Sequence, residues 1–491
     1  MDVVYIVGPI LLIAVVLAAV WLDRWSVPVI LIALGAGILF GSDVLKLWYF
    51  DNIELTNRVA NLALVFILFH GGFSTKRADF KEVALPAGGL ATWGVALTAL
   101  ATFGVLHGVV GWGIDKALLL AVIVSSTDAA AIFSILRRQS LSKKLSSTVE
   151  IESAANDPMA IMLTVAVVEA LTVGHPPLSV MALTFVWQFG SAPVLGWLMA
   201  RGILSLFNVL TPHDRGHYYV LALGFIMLVY GLAQGIGSSG MLAVFVAGYV
   251  MGNRPFVHKQ GVSNFSAALS TVANIGMFVL LGLQVFPRQW AGIWLEGIVL
   301  FLALTLVARP FAVWVSTIGM GLPWREKLFI SWAGLRGAVP IVLATYPMAA
   351  GIPVGNDVFN LVFFAVLLSV GVQGGTLGML ARRLKLTVPS RPAPLFNLEL
   401  VTMAASDLDL IVIDLPGPGD VIGSTIAELK LPPGSVITLI TRGKGLVVPK
   451  GSTRLQGWDQ VSVLAHANEE AAIRAALLGA LPADATRGER R

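Results

Sequence analysis

Apolar residues in the first four fifths of this chain run in long, nearly unbroken stretches separated by short polar loops. A bilayer core demands about 20 mostly apolar residues per helix. About thirteen stretches meet that demand, near 3–21, 27–41, 59–74, 83–109, 115–137, 148–171, 178–206, 217–234, 240–253, 264–286, 291–318, 326–349 and 356–380. The pattern predicts an all-α polytopic membrane protein. Two stretches, 27–41 and 240–253, are short for a full span, which implies tilt and uneven thickness.

After Lys385 the period changes. A Pro-rich run, TVPSRPAPLF, reads as a linker. Short β-branched runs then alternate with turns: LIVIDL, VITLITR, LVVP and QVSVLA read as strands, VIGSTIAEL as a short helix and NEEAAIRAALLG as an amphipathic helix. The expected organisation is a membrane domain over 1–385, a linker over 386–405, a small soluble α+β domain over 406–480 and a disordered tail over 481–491.

Composition sharpens this picture. Of 491 residues, 56% are hydrophobic and 12% charged, against about 25% charged in a soluble domain. That excludes a soluble enzyme, a disordered protein and a nucleic-acid binder. The net charge of +5 has to be located before a partner is inferred from it. With the N-terminus outside, sixteen basic residues fall in inner loops, among them Arg24, Lys76, Arg77, Arg137, Arg138, Arg325, Lys327, Arg382, Arg383 and Lys385. Only Lys46, Arg58, Lys116 and Arg288 fall outside. This positive-inside bias predicts a cytoplasmic C-terminal domain. The first helix has no basic n-region and reads as retained. There is no cysteine, which removes disulfides, thiolate metal sites and cysteine nucleophiles. No P-loop, metal-ligand cluster or Ser/His/Asp constellation is present, so ATP drive, a resident metal and a cofactor are not expected.

Ionisable groups at bilayer depth cost several kcal/mol and mark function by default. The fifth stretch carries Thr127 and Asp128 in SSTDAAA, and the sixth carries Glu152, Ser153, Asn156 and Asp157 in EIESAANDP. His70 lies in LFHGG, Arg309 precedes Pro310, and Arg336 lies in GLRGAVP. Glu152 and Asn156 are four apart and share a helix face. Pro158 offers no N–H to the Ala154 carbonyl, and a freed carbonyl beside a carboxylate suits a dehydrated monovalent cation. Arg309 reads as a structural partner for a buried carboxylate, and His70 as a structural histidine with a modulatory role as the rival. Segments around 126 and 337 both look like interrupted helices, and ALVFILFHGG and IGMFVLLGLQ recur at a similar offset of about 210. Broken helices in corresponding halves point to a transporter site.

At SSTDAAA, ESAANDP and GLRGAVPIVLA the chain resembles the monovalent cation:proton antiporter-1 family, with GMLAVFVAGYVMGN in agreement. The resemblance implies a dimer of thirteen-helix protomers with inverted repeats and two crossing, interrupted helices. It implies that Asp157 is shared by cation and proton, that Asn156 and Thr127 support the crossing, that Asp128 and Ser153 contribute ligands, and that Glu152 pairs Arg336. Asn156 in place of a second acid implies electroneutral exchange. Relatives usually carry an acid where this chain has His70. The C-terminal segment resembles the C-terminal domain of potassium-conductance regulators, which pairs as a dimer and often binds a small ligand. The pairing of domains favours K⁺ over Na⁺, in a bacterial inner membrane. A rival of another class, a ligand-gated channel, needs a filter of the TVGYG kind, and none is present.

Overall fold

A computed structural model describes residues 2–22, 27–41, 44–47, 50, 52–128, 132, 140–172, 178–210, 214–388, 408–417, 419, 421–443, 445–466 and 469–478. Ala129–Ala131 of the SSTDAAA motif, Arg24, Arg137, Arg138, the expected linker beyond Val388 and the expected tail from 481 lie outside the described residues.

The helices are α1 (Asp2–Leu22), α2 (Val29–Phe40), α3 (Ile53–Ser74), α4 (Arg77–Gly89), α5 (Val95–Phe103), α6 (Ile114–Ile123), α7 (Lys143–Thr172), α8 (Leu178–Val209) and α9 (Gly216–Gly235). They continue with α10 (Gly240–Gly252), α11 (Lys259–Leu283), α12 (Trp294–Leu302), α13 (Arg309–Ser316), α14 (Trp324–Trp332), α15 (Ala338–Ala349), α16 (Gly355–Leu368) and α17 (Gly375–Arg383). Among the described residues nine helices are long and apolar enough to cross a membrane, and α2, α10 and α15 are apolar but shorter. The structure therefore gives no direct count of thirteen spans. Short π-helical turns at Leu90–Gly94, Gly104–Val109, Ala303–Ala308 and Ser369–Gly374 lie within three of the long helical runs, Glu82–Val109, Trp294–Ser316 and Gly355–Arg383.

Two compact units emerge, the larger spanning Met1–Ile203, Tyr219–Arg254 and Ser263–Pro389. In that unit glycine sets the closest helix contacts. A side chain at Gly72, Gly248 or Gly252 would strike the backbone of the facing helix, which holds α3 and α10 together backbone to backbone. Gly37 and Gly282 do the same for α2 and α11. Close approach through small residues is how helices gain packing energy where the surrounding solvent is already apolar. A polar seam joins α3 to α15: Asn57 Nδ2 donates to Thr345 Oγ1 at 2.8 Å, Asn61 Nδ2 to Asn57 Oδ1 at 2.9 Å, and the Tyr346 hydroxyl to Asn61 Oδ1. Strand β1 (Ser140–Leu141) pairs antiparallel with β2 (Thr387–Val388), so ordered structure continues past Lys385.

The second unit, Leu204–Tyr218, Pro255–Val262 and Ser390–Arg491, contains the C-terminal sheet. Its strands are β3 (Leu408–Asp414), β4 (Val436–Arg442), β5 (Gly445–Val447) and β6 (Gln460–His466), in the antiparallel order β3-β6-β4-β5. Helix α18 (Glu470–Leu478) buries Ile473 and Leu477 with Ile411, Ile413, Ile440, Val461 and Val463. The helix expected at VIGSTIAEL is only a 3₁₀ turn, Ile426–Glu428, opened by a capping box between Thr425 and Glu428. Gly423 before it has φ +89° and LPPG follows, which leaves no room for a longer helix. Asp459 is fully buried and takes a bidentate bond from Arg442, Nε to Oδ1 and Nη2 to Oδ2, both 2.8 Å. These charge-assisted bonds hold the Arg442 guanidinium above its usual pKa.

Candidate functional site

Helix α6 stops at Ile123 and the chain runs on without helical structure to Asp128. Helix α14 stops at Trp332 and α15 starts at Ala338. The two interruptions meet: the Asp128 amide donates to the Leu335 carbonyl at 2.8 Å. Breaking a helix exposes backbone carbonyls that must find donors. Arg336 supplies them, its Nη1 donating to Ser125 O at 3.0 Å and also to Ser126 O. Its own amide donates to Ser369 Oγ at 3.1 Å. Gly337 is obligatory here, because a Cβ at that position would fall on the Asp128 carboxylate.

Helix α7 passes the crossing unbroken, with Pro158 inside it. Asn156 Nδ2 donates to Thr127 Oγ1 at 2.7 Å and Ser153 Oγ donates to the Thr127 carbonyl at 2.9 Å. One face of α7 is thus fastened to the unwound segment. Asp157 follows Asn156 on this helix and Asp128 follows Thr127 on the unwound segment, so these bonds bring the two acids to one crossing. Asp157 Oδ1 is buried and has no hydrogen-bond partner among the described residues. A buried carboxylate oxygen left unpartnered is suited to a proton or a small cation. Among the described residues no cluster of three His, Cys, Asp or Glu could hold a metal ion.

One expected contact differs. Glu152 bonds Arg309, Oε1 to Nη2 at 2.5 Å, with both side chains at most 3% exposed. The expected partner Arg336 bonds Ser125 and Ser126 through Nη1 alone, and its Nε and Nη2 are buried with no hydrogen-bond partner among the described residues. The physical reason is reach: the carbonyls of the broken helix hold Nη1 of Arg336. Arg309 reaches Glu152 because Gly334 leaves space for it, and a side chain there would strike Arg309. His70 stands apart from this cluster in its bonding. Its Nδ1 is 3.2 Å from Ser266 Oγ and its Nε2 is 3.4 Å from Ser74 Oγ.

Sequence reading passed over Ser369 and Gln373, which the structure ties to the crossing. Ser369 Oγ donates to Gln373 Oε1 at 2.5 Å, and Gln373 Nε2 donates to the Trp332 carbonyl at 3.0 Å. Their four-residue spacing inside an apolar span was the available signal.

The profile described as "Sodium/hydrogen exchanger, transmembrane" matches residues 10–383. This chain belongs to the sodium/hydrogen exchanger family. A TrkA-C domain profile matches residues 410–478. A K(+)/H(+) antiporter NhaP2 of Shewanella sp. (strain ANA-3) is 38% identical over 471 residues, covering 94% of this chain and 80% of the relative. A K(+)/H(+) antiporter NhaP of Alkalimonas amylolytica is 33% identical over 435 residues, covering 87% and 75%. The solved structure of the sodium proton antiporter MjNhaP1 from Methanocaldococcus jannaschii superposes with a TM-score of 0.68 at 24% identity, covering 78% of this chain and 99% of that one. The fold is that of this family, and the chain is a multi-span membrane transporter of the cation/proton antiporter kind, not an enzyme.

Proposed function

We propose that this protein exchanges K⁺ for H⁺ electroneutrally at Asp157, by alternating access, under control of its C-terminal domain. The observation that carries the reading is the crossing itself: the Asp128 amide bonds Leu335 where two interrupted helices meet, while Asn156 and Ser153, beside Asp157, grip Thr127. One carboxylate can hold a proton or a cation but not both, so binding of either releases the other. Thr127, Ser153 and Asp128 offer oxygens that replace water around a dehydrated cation. Asn156 bonds Thr127 and adds no titrating group, which supports one proton per cation. Arg336 and the Glu152–Arg309 pair balance charge behind the site and hold its shape.

K⁺ is favoured by the two relatives named K(+)/H(+) antiporters and by the TrkA-C match. Na⁺ is the second reading, supported by a Na(+)/H(+) antiporter NhaP of Pseudomonas aeruginosa, 27% identical over 355 residues. The positive-inside bias supports an outer N-terminus and a cytoplasmic C-terminal domain in a bacterial inner membrane. A homodimer, with paired C-terminal domains that take a small ligand, completes the proposal. The test is exchange in proteoliposomes with K⁺, Na⁺, Li⁺ and Rb⁺ across imposed pH gradients, with the membrane potential clamped at several values. K⁺-dependent dequenching of a pH dye that is indifferent to potential is expected. Exchange with Na⁺ and Li⁺ alone would overturn the K⁺ reading, and a rate that follows the potential would overturn electroneutrality.

A further inference from the structure

A groove of about 500 Å³ opens on the flank of the membrane unit, walled by the π turn before α13, by α14 and by α17. Its lining includes Leu306, Pro310, Leu328, Trp332 and Met379, with Arg383 from the last turn of α17. Leu306, Leu328 and Met379 are 58%, 40% and 48% exposed. Two of its walls belong to the apolar spans Trp294–Ser316 and Gly355–Arg383, where the surrounding solvent is hydrocarbon. What fills such a groove is drawn from the bilayer. Arg383 also has a definite depth. Trp314 and Trp324, both half-exposed, stand near the same membrane face, with Lys327 5.4 Å from the Trp314 ring and Arg325 5.7 Å from the Trp324 ring. Aromatic and basic side chains of this kind sit at the headgroup level. Glu326 on the same turn does not line the groove.

The groove is wired to the ion site. Trp332 Nε1 donates to Thr376 Oγ1 at 3.0 Å within its lining. The Trp332 carbonyl accepts from Gln373, Gln373 from Ser369, and Ser369 from the Arg336 amide. Pro310 in the lining follows Arg309, the partner of Glu152.

We propose that this groove binds an anionic phospholipid from the leaflet on the Arg383 side. An acyl chain lies against Leu306, Leu328, Trp332 and Met379, the phosphate lies on Arg383, and occupancy steadies the break between α14 and α15. The effect on exchange rests on the antiporter reading above, whereas the binding does not.

The test uses the full chain in phosphatidylcholine vesicles with increasing phosphatidylglycerol. Binding is read by quenching with brominated acyl chains, taking the component lost in Trp332→Phe. Rate is read by dequenching of a pH dye. Brominated phosphatidylglycerol is expected to quench that component more strongly than brominated phosphatidylcholine, and exchange is expected to rise with the phosphatidylglycerol fraction. Arg383→Gln should shift both dependences about fivefold toward higher phosphatidylglycerol, the factor one basic residue contributes near an anionic surface. Met379→Phe, which fills the groove, should weaken both as well. Both variants should exchange like the parent in pure phosphatidylcholine. Equal quenching by the two lipids, an unshifted Arg383→Gln, or the same effect from free inorganic phosphate would overturn the proposal. Selective quenching without exchange of any cation would uphold the lipid site and count against the antiporter reading instead.

Discussion

Asp157 Oδ1 is buried without a hydrogen-bond partner among the described residues, so none of their bonds to that atom is lost when the carboxylate becomes an amide. Asp157→Asn is expected to abolish exchange while leaving insertion and thermal stability near the parent. The check is cation-induced dequenching of a pH dye beside a melting curve in detergent, and near-normal exchange would remove Asp157 from the mechanism. Glu152 and Arg309 behave oppositely, since each is buried against the other. Losing one partner of such a pair costs about 3–5 kcal/mol, because the remaining charge is stranded. Glu152→Gln and Arg309→Gln should each lower the melting temperature, and the double variant should recover part of the loss. Additivity in that cycle would refute the pairing. In the C-terminal domain the Thr425 amide donates to Glu428 at 2.8 Å and holds its carboxyl below the usual carboxylate range. A depressed folded pKa contributes stability above the unfolded value and loses it as pH falls through the folded one. The stability gap between the full-length parent and Glu428→Gln should therefore be widest near neutrality and close in acid below the ordinary value of 4.5.

At the scale of elements, the crossing of the two interrupted helices depends on glycine. A Cβ at Gly337 overlaps the Asp128 carboxylate, whereas a Cβ at Gly276 on α11 meets nothing within 4 Å. Overpacking of this kind costs about 1–3 kcal/mol and displaces its neighbours. Gly337→Ala should lose exchange in a protein that still inserts, and Gly276→Ala should keep it. Equal activity in the two, measured on matched amounts of reconstituted protein, would show that the crossing tolerates a shift of Asp128. Both interruptions were legible in the sequence from small residues, glycine and proline around Asp128 and Arg336. Their meeting was not, because no local pattern records that the Asp128 amide bonds a carbonyl more than 200 residues away at Leu335.

For the whole molecule, β2 alters where the membrane part ends. Thr387 and Val388 pair with Leu141 and Ser140, so a chain cut after Lys385 loses a strand that one cut after Val388 keeps. The longer truncate is expected to insert and exchange, with its dependence on pH or on K⁺ changed. A correctly inserted truncate without exchange would make the C-terminal domain part of the transport machinery. That domain buries a full set of apolar side chains between its sheet and α18, and Arg442 secures the buried Asp459. It has a core of its own.

Apolar stretch length and the count of charges by themselves determined that this is a polytopic membrane protein, since hydrocarbon admits few alternatives to an apolar helix. Strand periodicity determined the small α+β domain at its end, and the Thr-Asp and Asn-Asp motifs singled out the residues of the candidate site. Tertiary structure alone decided which charges pair. Glu152 faced two arginines of equal chemical fitness, and the fold sets Arg309 at 2.5 Å from it while Arg336 Nη1 lies on the Ser125 and Ser126 carbonyls. It also decided the lengths of the helices at the break and the polar seam of Asn57, Asn61, Thr345 and Tyr346. Hydrophobic pattern reports how much of a segment avoids water, a local property. Hydrogen-bond demand in a dry interior is met by whichever donor the fold brings within reach, and that is settled only when distant segments cross.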